Sequence, residues 1–165
     1  MASWRKMTTG DLHAVLRVAE KIHPDLPESE SVYAERLKLF PDGCFVLMVR
    51  DEMHGYAISH PIRHQQPPAL DSLLGEIAPD ADQYYIHDLA VLPTVRNQGL
   101  AAKGIGALLE VAGPYSTTCL ISVYGTAPFW ARFGFVPELV GGALAGKLLK
   151  YGEDATYLVR QNIAQ

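Results

Sequence analysis

One α/β domain is the fold class this sequence predicts, and three observations predict it. The chain has 165 residues, 48% of them hydrophobic and 19% charged, enough apolar side chain for one core of ordinary size. Its apolar residues recur at strand spacing in some segments and helical spacing in others, so the two element types mix along the chain. Pro, Gly and Asp fall between those segments, where turns must lie. No solenoid-like repeat and no low-complexity tract interrupts this pattern.

The elements follow in order. Residues 3–8 form a short strand stopped at Gly10. Thr9 or Asp11 can cap a helix with Leu12, Val15, Leu16 and Ala19 on one stripe, broken by Pro24 and Pro27. A second helical pattern over residues 28–40 puts Val32, Leu37 and Phe40 on its apolar face and stops at Pro41-Asp42-Gly43. Strands over residues 44–50 and 53–60 then make a hairpin around Asp51-Glu52. Residues 61–83 hold Pro61, Pro67, Pro68 and Pro79, with one helical turn around Leu70 to Leu74. So long a connection is a candidate lid.

Residues 84–92 are an apolar strand ended by Pro93, followed by a helix that opens near Arg96 and closes at Gly113-Pro114. Ala101, Ile105, Leu108 and Ala112 share one of its faces. A strand over 118–123, a short helix over 127–133, a strand beginning at Phe135-Val136 and a terminal strand over 156–160 complete the order.

Composition excludes several function classes. The formal net charge is −4, without the basic patch of a nucleic-acid module. Lys103 and Lys147 break the longest apolar stretches, which fall short of a membrane span. The N-terminus lacks the apolar core of a signal peptide. A cytoplasmic monomer or homodimer, with no nucleic-acid or membrane partner, is expected. Cys44 and Cys119 sit beside apolar runs and read as buried strand thiols. His60 and His64 have four-residue spacing, but Pro61 opposes a helix there and no carboxylate adjoins them, so no metal is expected.

The most informative segment runs from Tyr84 to Lys103. It reads as a strand leading through a Gly99 turn into a helix N-terminus, where unpaired backbone N–H groups offer a site for a pyrophosphate. Gly99 permits close approach, Ala101 keeps the first turn thin, and Arg96 adds charge at the rim. The P-loop pattern fails in its spacing and lacks the Ser or Thr, and the Gly104-x-Gly106 pair lies inside the helix.

Arg96-x-x-Gly99-x-Ala101, after Leu89-Ala90-Val91 and Pro93, resembles motif A of the GNAT acetyltransferases, which bind acetyl-CoA. Ala127-Pro128-Phe129-Trp130-Ala131-Arg132-Phe133-Gly134-Phe135 resembles their motif B. Both stand in the family's order. The resemblance implies a mixed, mostly antiparallel central sheet with helices on both faces. It also implies one acetyl-CoA-dependent N-acetyltransferase domain over residues 1–165. The local likeness is to arylalkylamine N-acetyltransferases. Where those carry His-x-His-x-Leu-Ala-Val, Tyr85 replaces the first histidine and His87 matches the second. Trp130 replaces the usual motif B tyrosine.

By position, the resemblance implies that the backbone of Leu89, Ala90 and Val91 pairs with the pantetheine arm. The turn of Arg96, Asn97, Gln98, Gly99, Leu100, Ala101 and Ala102 would hold the pyrophosphate, and Trp130 would pack at the thioester end. The acceptor is then a primary amine of a small molecule, attacking directly in a ternary complex. A protein or peptide amine is the second possibility, and a catalytically silent acyl-CoA-binding module the third.

A primary ammonium has a pKa near 10, so only about one molecule in a thousand is nucleophilic at neutral pH, a deficit of about 4 kcal/mol. A base with a pKa of about 6.5 is suited to take the proton. His87 is the expected base. Unbroken alternation would put Tyr85, His87, Leu89 and Val91 on one face and Asp88 on the other. Tyr85 and Tyr124 are the further catalytic candidates, Tyr124 because it follows the strand before motif B and could approach the thiolate. The acidic run Asp25, Glu28 and Glu30 can steer a cationic amine or simply start a helix.

Overall fold

The computed structural model describes residues 1–162. Among the described residues seven strands form one sheet: β1 (Ala2–Lys6), β2 (Cys44–Val49), β3 (Glu52–Ile62), β4 (Gln83–Val91), β5 (Thr117–Ser122), β6 (Val136–Pro137) and β7 (Thr156–Gln161). Their spatial order is β1-β2-β3-β4-β5-β7-β6. Every pairing is antiparallel except β4 with β5.

Five α-helices among these residues cover the sheet: α1 (Leu12–Ile22), α2 (Glu30–Leu39), α3 (Leu100–Ala112), α4 (Ala127–Ala131) and α5 (Gly142–Lys150). On one face α1 and α2 bury Val15, Val18, Tyr33 and Leu37 against Val46, Tyr56, Ile58 and Ala90. On the other face Ile105 and Leu108 of α3 and Trp130 of α4 pack against Phe45, Ala57, Ile86 and Leu120. Leu144 of α5 meets Tyr85, Cys119 and Tyr157, which alternate with that second set, so α5 shares the α1 and α2 face. No helix among the described residues is long and apolar enough to cross a membrane.

Several expectations shift. The first strand ends at Lys6, where Arg5 turns its guanidinium to the Asp11 carboxylate at 2.8 Å. A 3₁₀ turn over Thr9–Asp11 precedes the first α-helix, so Asp11 is the residue before Leu12. The hairpin turns on Arg50 and Asp51, both with positive φ, and Glu52 already pairs with Val49. Helix α5 was not expected from the sequence, because Gly141, Gly142 and Gly146 mask its Leu144 and Leu148 spacing.

The long connection is shorter than expected, since β3 extends to Ile62 and β4 begins at Gln83. Residues 63–82 contain turns and no helix. Hydrogen bonds fasten this loop on two sides. Glu35 accepts from the Leu74 and Gly75 N–H groups at 2.6 and 3.0 Å, Arg36 donates to Ser72 O at 3.0 Å, and Lys147 donates to Pro67 O at 2.7 Å. The expected lid is a fixed wall between α2 and α5.

Candidate active site

Strands β4 and β5 pair only at Tyr84–Thr118, Tyr85–Cys119 and Ile86–Leu120. Beyond Ile86 they separate, and a cavity of about 960 Å³ opens between them. The Leu92 N–H bonds to His54 O across the sheet at 2.8 Å. With the two-residue period of an antiparallel ladder, Ala90 also faces β3, while the peptide groups of Leu89 and Val91 face the open side. Of the three residues expected to pair with a pantetheine arm, Leu89 presents its backbone edge and Val91 its N–H, the Val91 carbonyl being taken by Arg96. Ala90 is committed to Tyr56.

At the end of this edge Arg96 donates through Nε to Val91 O at 3.0 Å, which folds the chain back toward α3. Asn97 and Gly99 both take positive φ, +67° and +74°. The first helical bond runs from Lys103 N–H to Gly99 O, so the amides from Gly99 to Ala102 have no acceptor in their own helix. A Cβ on Gly99 would meet nothing within 4 Å. The helix start is therefore an open cradle, lined also by Arg96, Asn97, Leu100 and Ala101. Gln98 is not part of that lining. Trp130 is, held on its buried side by Phe135 with ring centroids 5.5 Å apart.

The opposite end of the cavity is acidic and aromatic. Asp25, Glu28 and Asp88 line it together with Ile22, Leu26, Leu70, Tyr124 and Tyr151. The Asp88 carboxylate accepts from the Tyr56 hydroxyl and lies 3.0 Å from His23 Nε2. His23 Nδ1 in turn stands 3.3 Å from the Tyr124 hydroxyl. Burial alone would lower the His23 pKa, but the Asp88 carboxylate, helped by Glu28, raises it above the ordinary histidine value. Burial pushes the Asp88 carboxyl up, and His23 and Tyr56 bring it below the ordinary range.

A family model described as the acetyltransferase (GNAT) family matches residues 12–135, three quarters of the chain. The chain belongs to the GNAT family. Among solved structures, the loading GNATL domain of CurA from Lyngbya majuscula superposes with a TM-score of 0.82 at 14% identity, covering 98% of both chains. The ribosomal-protein-S18-alanine N-acetyltransferase of Escherichia coli gives 0.68 at 18% identity, covering 100% of this chain and 96% of its own. Arabidopsis thaliana Naa50, in complex with the bisubstrate analogue CoA-Ac-MVNAL, gives 0.70 at 11% identity, covering 97% and 98%. No curated protein matches the chain. The sheet and its helices are those of the GNAT fold, and the family's acetyl-CoA-dependent N-acetyltransferase activity goes with it.

In this GNAT domain the expected alternation along β4 fails. Ile58 pairs with Asp88 but Ser59 pairs with Ile86, so His87 is an extra residue opposite no partner. This bulge reverses the faces on either side of it. Leu89 joins the α3 face with Ile86, while His87 and Asp88 both turn toward α1 and α2.

His87, the expected base, lines the cavity with a side chain that is only 2% exposed. Its Nε2 lies 2.6 Å from Glu28 Oε1, and its Nδ1 is buried without a partner. Tyr85 lies 1% exposed beneath α5, outside the cavity lining. Tyr124 does reach the cavity.

Glu28 belongs to the acidic run expected to steer a cationic amine, whereas His23 was not anticipated as a side chain of the site. The available signal was a histidine at the end of α1, directly before Pro24. Among the described residues no group of His, Cys, Asp and Glu could hold a metal ion.

Proposed function

We propose that this GNAT domain, the whole of residues 1–165, acetylates the primary amine of a small molecule by direct attack in a ternary complex. The observation that carries the reading is the continuity of one cavity. It joins a free strand edge and a helix N-terminus, which suit CoA, to an end bearing three carboxylates, which suits a cationic amine.

The residues fit acetyl-CoA. The open space before Gly99 accepts a pyrophosphate on the Gly99 to Ala102 amides. Leu89 and Val91 offer the pantetheine arm a strand edge, and an N–H from that edge can polarise the thioester carbonyl. Acetyl-CoA supplies the acyl group; the chain supplies orientation and proton transfer. Trp130 cannot release a proton at ordinary pH, so its part is to pack at the thioester end and exclude water.

At the acceptor end Asp25, Glu28 and Asp88 favour an ammonium group, and Ile22, Leu26, Tyr124 and Tyr151 favour an apolar or aryl body. That combination supports an arylalkylamine-like acceptor over a polyamine. The fixed wall of residues 63–82 narrows this end and favours a small acceptor over a protein chain. The test is thiol release from acetyl-CoA over aryl amines, polyamines, amino acids and peptides. Aryl amines should give the highest kcat/KM. Peptides outrunning them would move the acceptor to a protein amine, and tight acetyl-CoA binding without release in any case would leave a silent module.

A further inference from the structure

Three side chains from separate elements form one polar chain along the acceptor wall. Asp88 comes from β4, His23 closes α1, and Tyr124 follows β5. Asp88 Oδ1 is an acceptor only, so the facing His23 Nε2 carries the proton. His23 Nδ1 is then a lone pair, placed to accept from the Tyr124 hydroxyl at 3.3 Å. The Tyr124 ring stacks on the imidazole, with centroids 5.7 Å apart and planes 16° from parallel.

Exposure rises along this chain toward the cavity. The side chains of Asp88 and His23 are 13% and 14% exposed, while Tyr124 is 49% exposed. The phenol oxygen is the outlet. Tyr124 also holds a φ of +57°, next to Gly125 at +68°, a left-handed conformation that tyrosine rarely adopts and that recurs at functional sites.

We propose that Tyr124 is a catalytic proton-transfer residue that takes a proton from the acceptor ammonium and passes its own to His23, with Asp88 as the positioning residue. The proposal rests on the acetyl-transfer reading above. The ammonium gives one proton to the Tyr124 oxygen as Tyr124 gives one to His23 Nδ1. The freed nitrogen lone pair forms the C–N bond and the thioester C–S bond breaks. The second nitrogen proton leaves with the thiolate sulfur as CoA thiol, and the imidazolium returns its proton to water. One amide, one thiol and one proton result. The arrangement parallels an Asp-His-Ser triad with a phenol at its outer end.

The groups facing His23 and Tyr124 all bear on this step. Asp88 and Glu28 raise the proton affinity of His23 against the effect of burial. Burial, Asp25, Asp88 and Asp154 push the Tyr124 phenol up, so it stays protonated at neutral pH and acts as a conduit. Tyr56 and His87 face Asp88 from β3 and β4.

Tyr124→Phe keeps the ring and its stacking and removes only the conduit. Its kcat should fall by roughly 10²-fold or more, within the range for lost acid–base catalysis, while the Kd for acetyl-CoA stays unchanged. His23→Gln should abolish the rising limb of the kcat/KM pH profile. Asp88→Asn should move the midpoint of that limb downward, which a merely structural role would not do. Wild-type thiol release is measured first, and its absence with every amine overturns the acetyl-transfer reading itself. Release that survives Tyr124→Phe with kcat and pH profile intact overturns the relay alone.

Discussion

His87 Nε2 lies 2.6 Å from Glu28 Oε1, and the two side chains are only 2% and 5% exposed. Fifty-nine positions separate them in the chain, so this contact fastens the segment between α1 and α2 to the bulge of β4. Glu28 also accepts from the Asp71 N–H at 3.0 Å, and Asp71 accepts from Ser29 N–H at 2.7 Å. One buried acid thus ties the catalytic strand, the α1–α2 connection and the 63–82 wall together.

Glu28→Ala should destabilise the domain by about 3–5 kcal/mol, the usual cost of removing one partner of a buried pair. Glu28→Gln, which still accepts from neighbours, should cost less. Burial alone would raise the Glu28 carboxyl, but His87 and the Asp71 N–H hold it below its ordinary value. Its contribution is therefore complete above the unfolded carboxyl pKa of about 4.3 and is lost as pH falls through the lowered folded value. Urea unfolding of wild type and both variants across that window measures it. Equal stability of all three at neutral pH would remove the fastening role.

Gly99→Val should fold and fail to bind acetyl-CoA. The space beyond a Gly99 Cβ is empty of protein, so the new side chain occupies the cradle rather than the core. The φ of +74° adds strain of about 1–2 kcal/mol for a residue with a Cβ. Calorimetry should show at least a tenfold weaker Kd, about 1.4 kcal/mol. Unchanged affinity in a folded variant would take the pyrophosphate away from this turn.

Trp130 is 8% exposed and packs edge-on against both Phe129 and Phe135. Trp130→Ala should cost about 3–5 kcal/mol of stability and weaken acetyl-CoA binding. Trp130→Tyr keeps most of the packing and should be mild in both respects. Thermal unfolding alongside ligand titration separates the two effects, and an unaltered melting temperature for Trp130→Ala would contradict the packing argument.

His60 is fully buried and donates through Nδ1 to Pro61 O, leaving Nε2 without a partner. Burial, reinforced by neighbouring His87, lowers its pKa to about 3. The unfolded chain binds this proton below about 6.5, so folding stability declines from there toward pH 3, by at most about 1.4 kcal/mol per pH unit. His60→Phe should flatten that slope relative to wild type in denaturant titrations. Parallel slopes would show that His60 is not the group responsible.

Glu35 is the clasp of the 63–82 wall through its bonds to Leu74 and Gly75. Glu35→Ala should raise KM for the acceptor several-fold and leave the Kd for acetyl-CoA within about twofold, because the clasp lies away from the α3 cradle. Steady-state kinetics with calorimetry resolves this. A loss of CoA affinity with acceptor KM unchanged would place the wall at the wrong substrate.

The sequence by itself determined the alternation of strands and helices, the Gly99 turn before α3, and the family to which both motifs point. These are local features. A strand period, a proline stop or a left-handed glycine is decided by neighbouring residues, so it can be read without knowing what packs above it. Gly99 is the clearest instance, since a helix start with free amides needs only its own backbone. Helix α5 marks the edge of that legibility, because its glycines give little local preference and Leu144 earns its place by packing on Tyr85 and Tyr157.

Tertiary structure alone decided the acceptor end. The extra residue in β4 appears only when the strand is paired with β3, and it turns Asp88 to the side of His87 and sends Leu89 to the other. His23 meets Asp88 across 65 positions and Tyr124 across 101, distances over which no sequence spacing carries information. Proton transfer needs atoms within hydrogen-bond reach, and that reach is set by how β4, α1 and β5 dock. The chemistry was therefore legible as a family, while the residues placed to move the proton were fixed by the bulge and the splay of two strands.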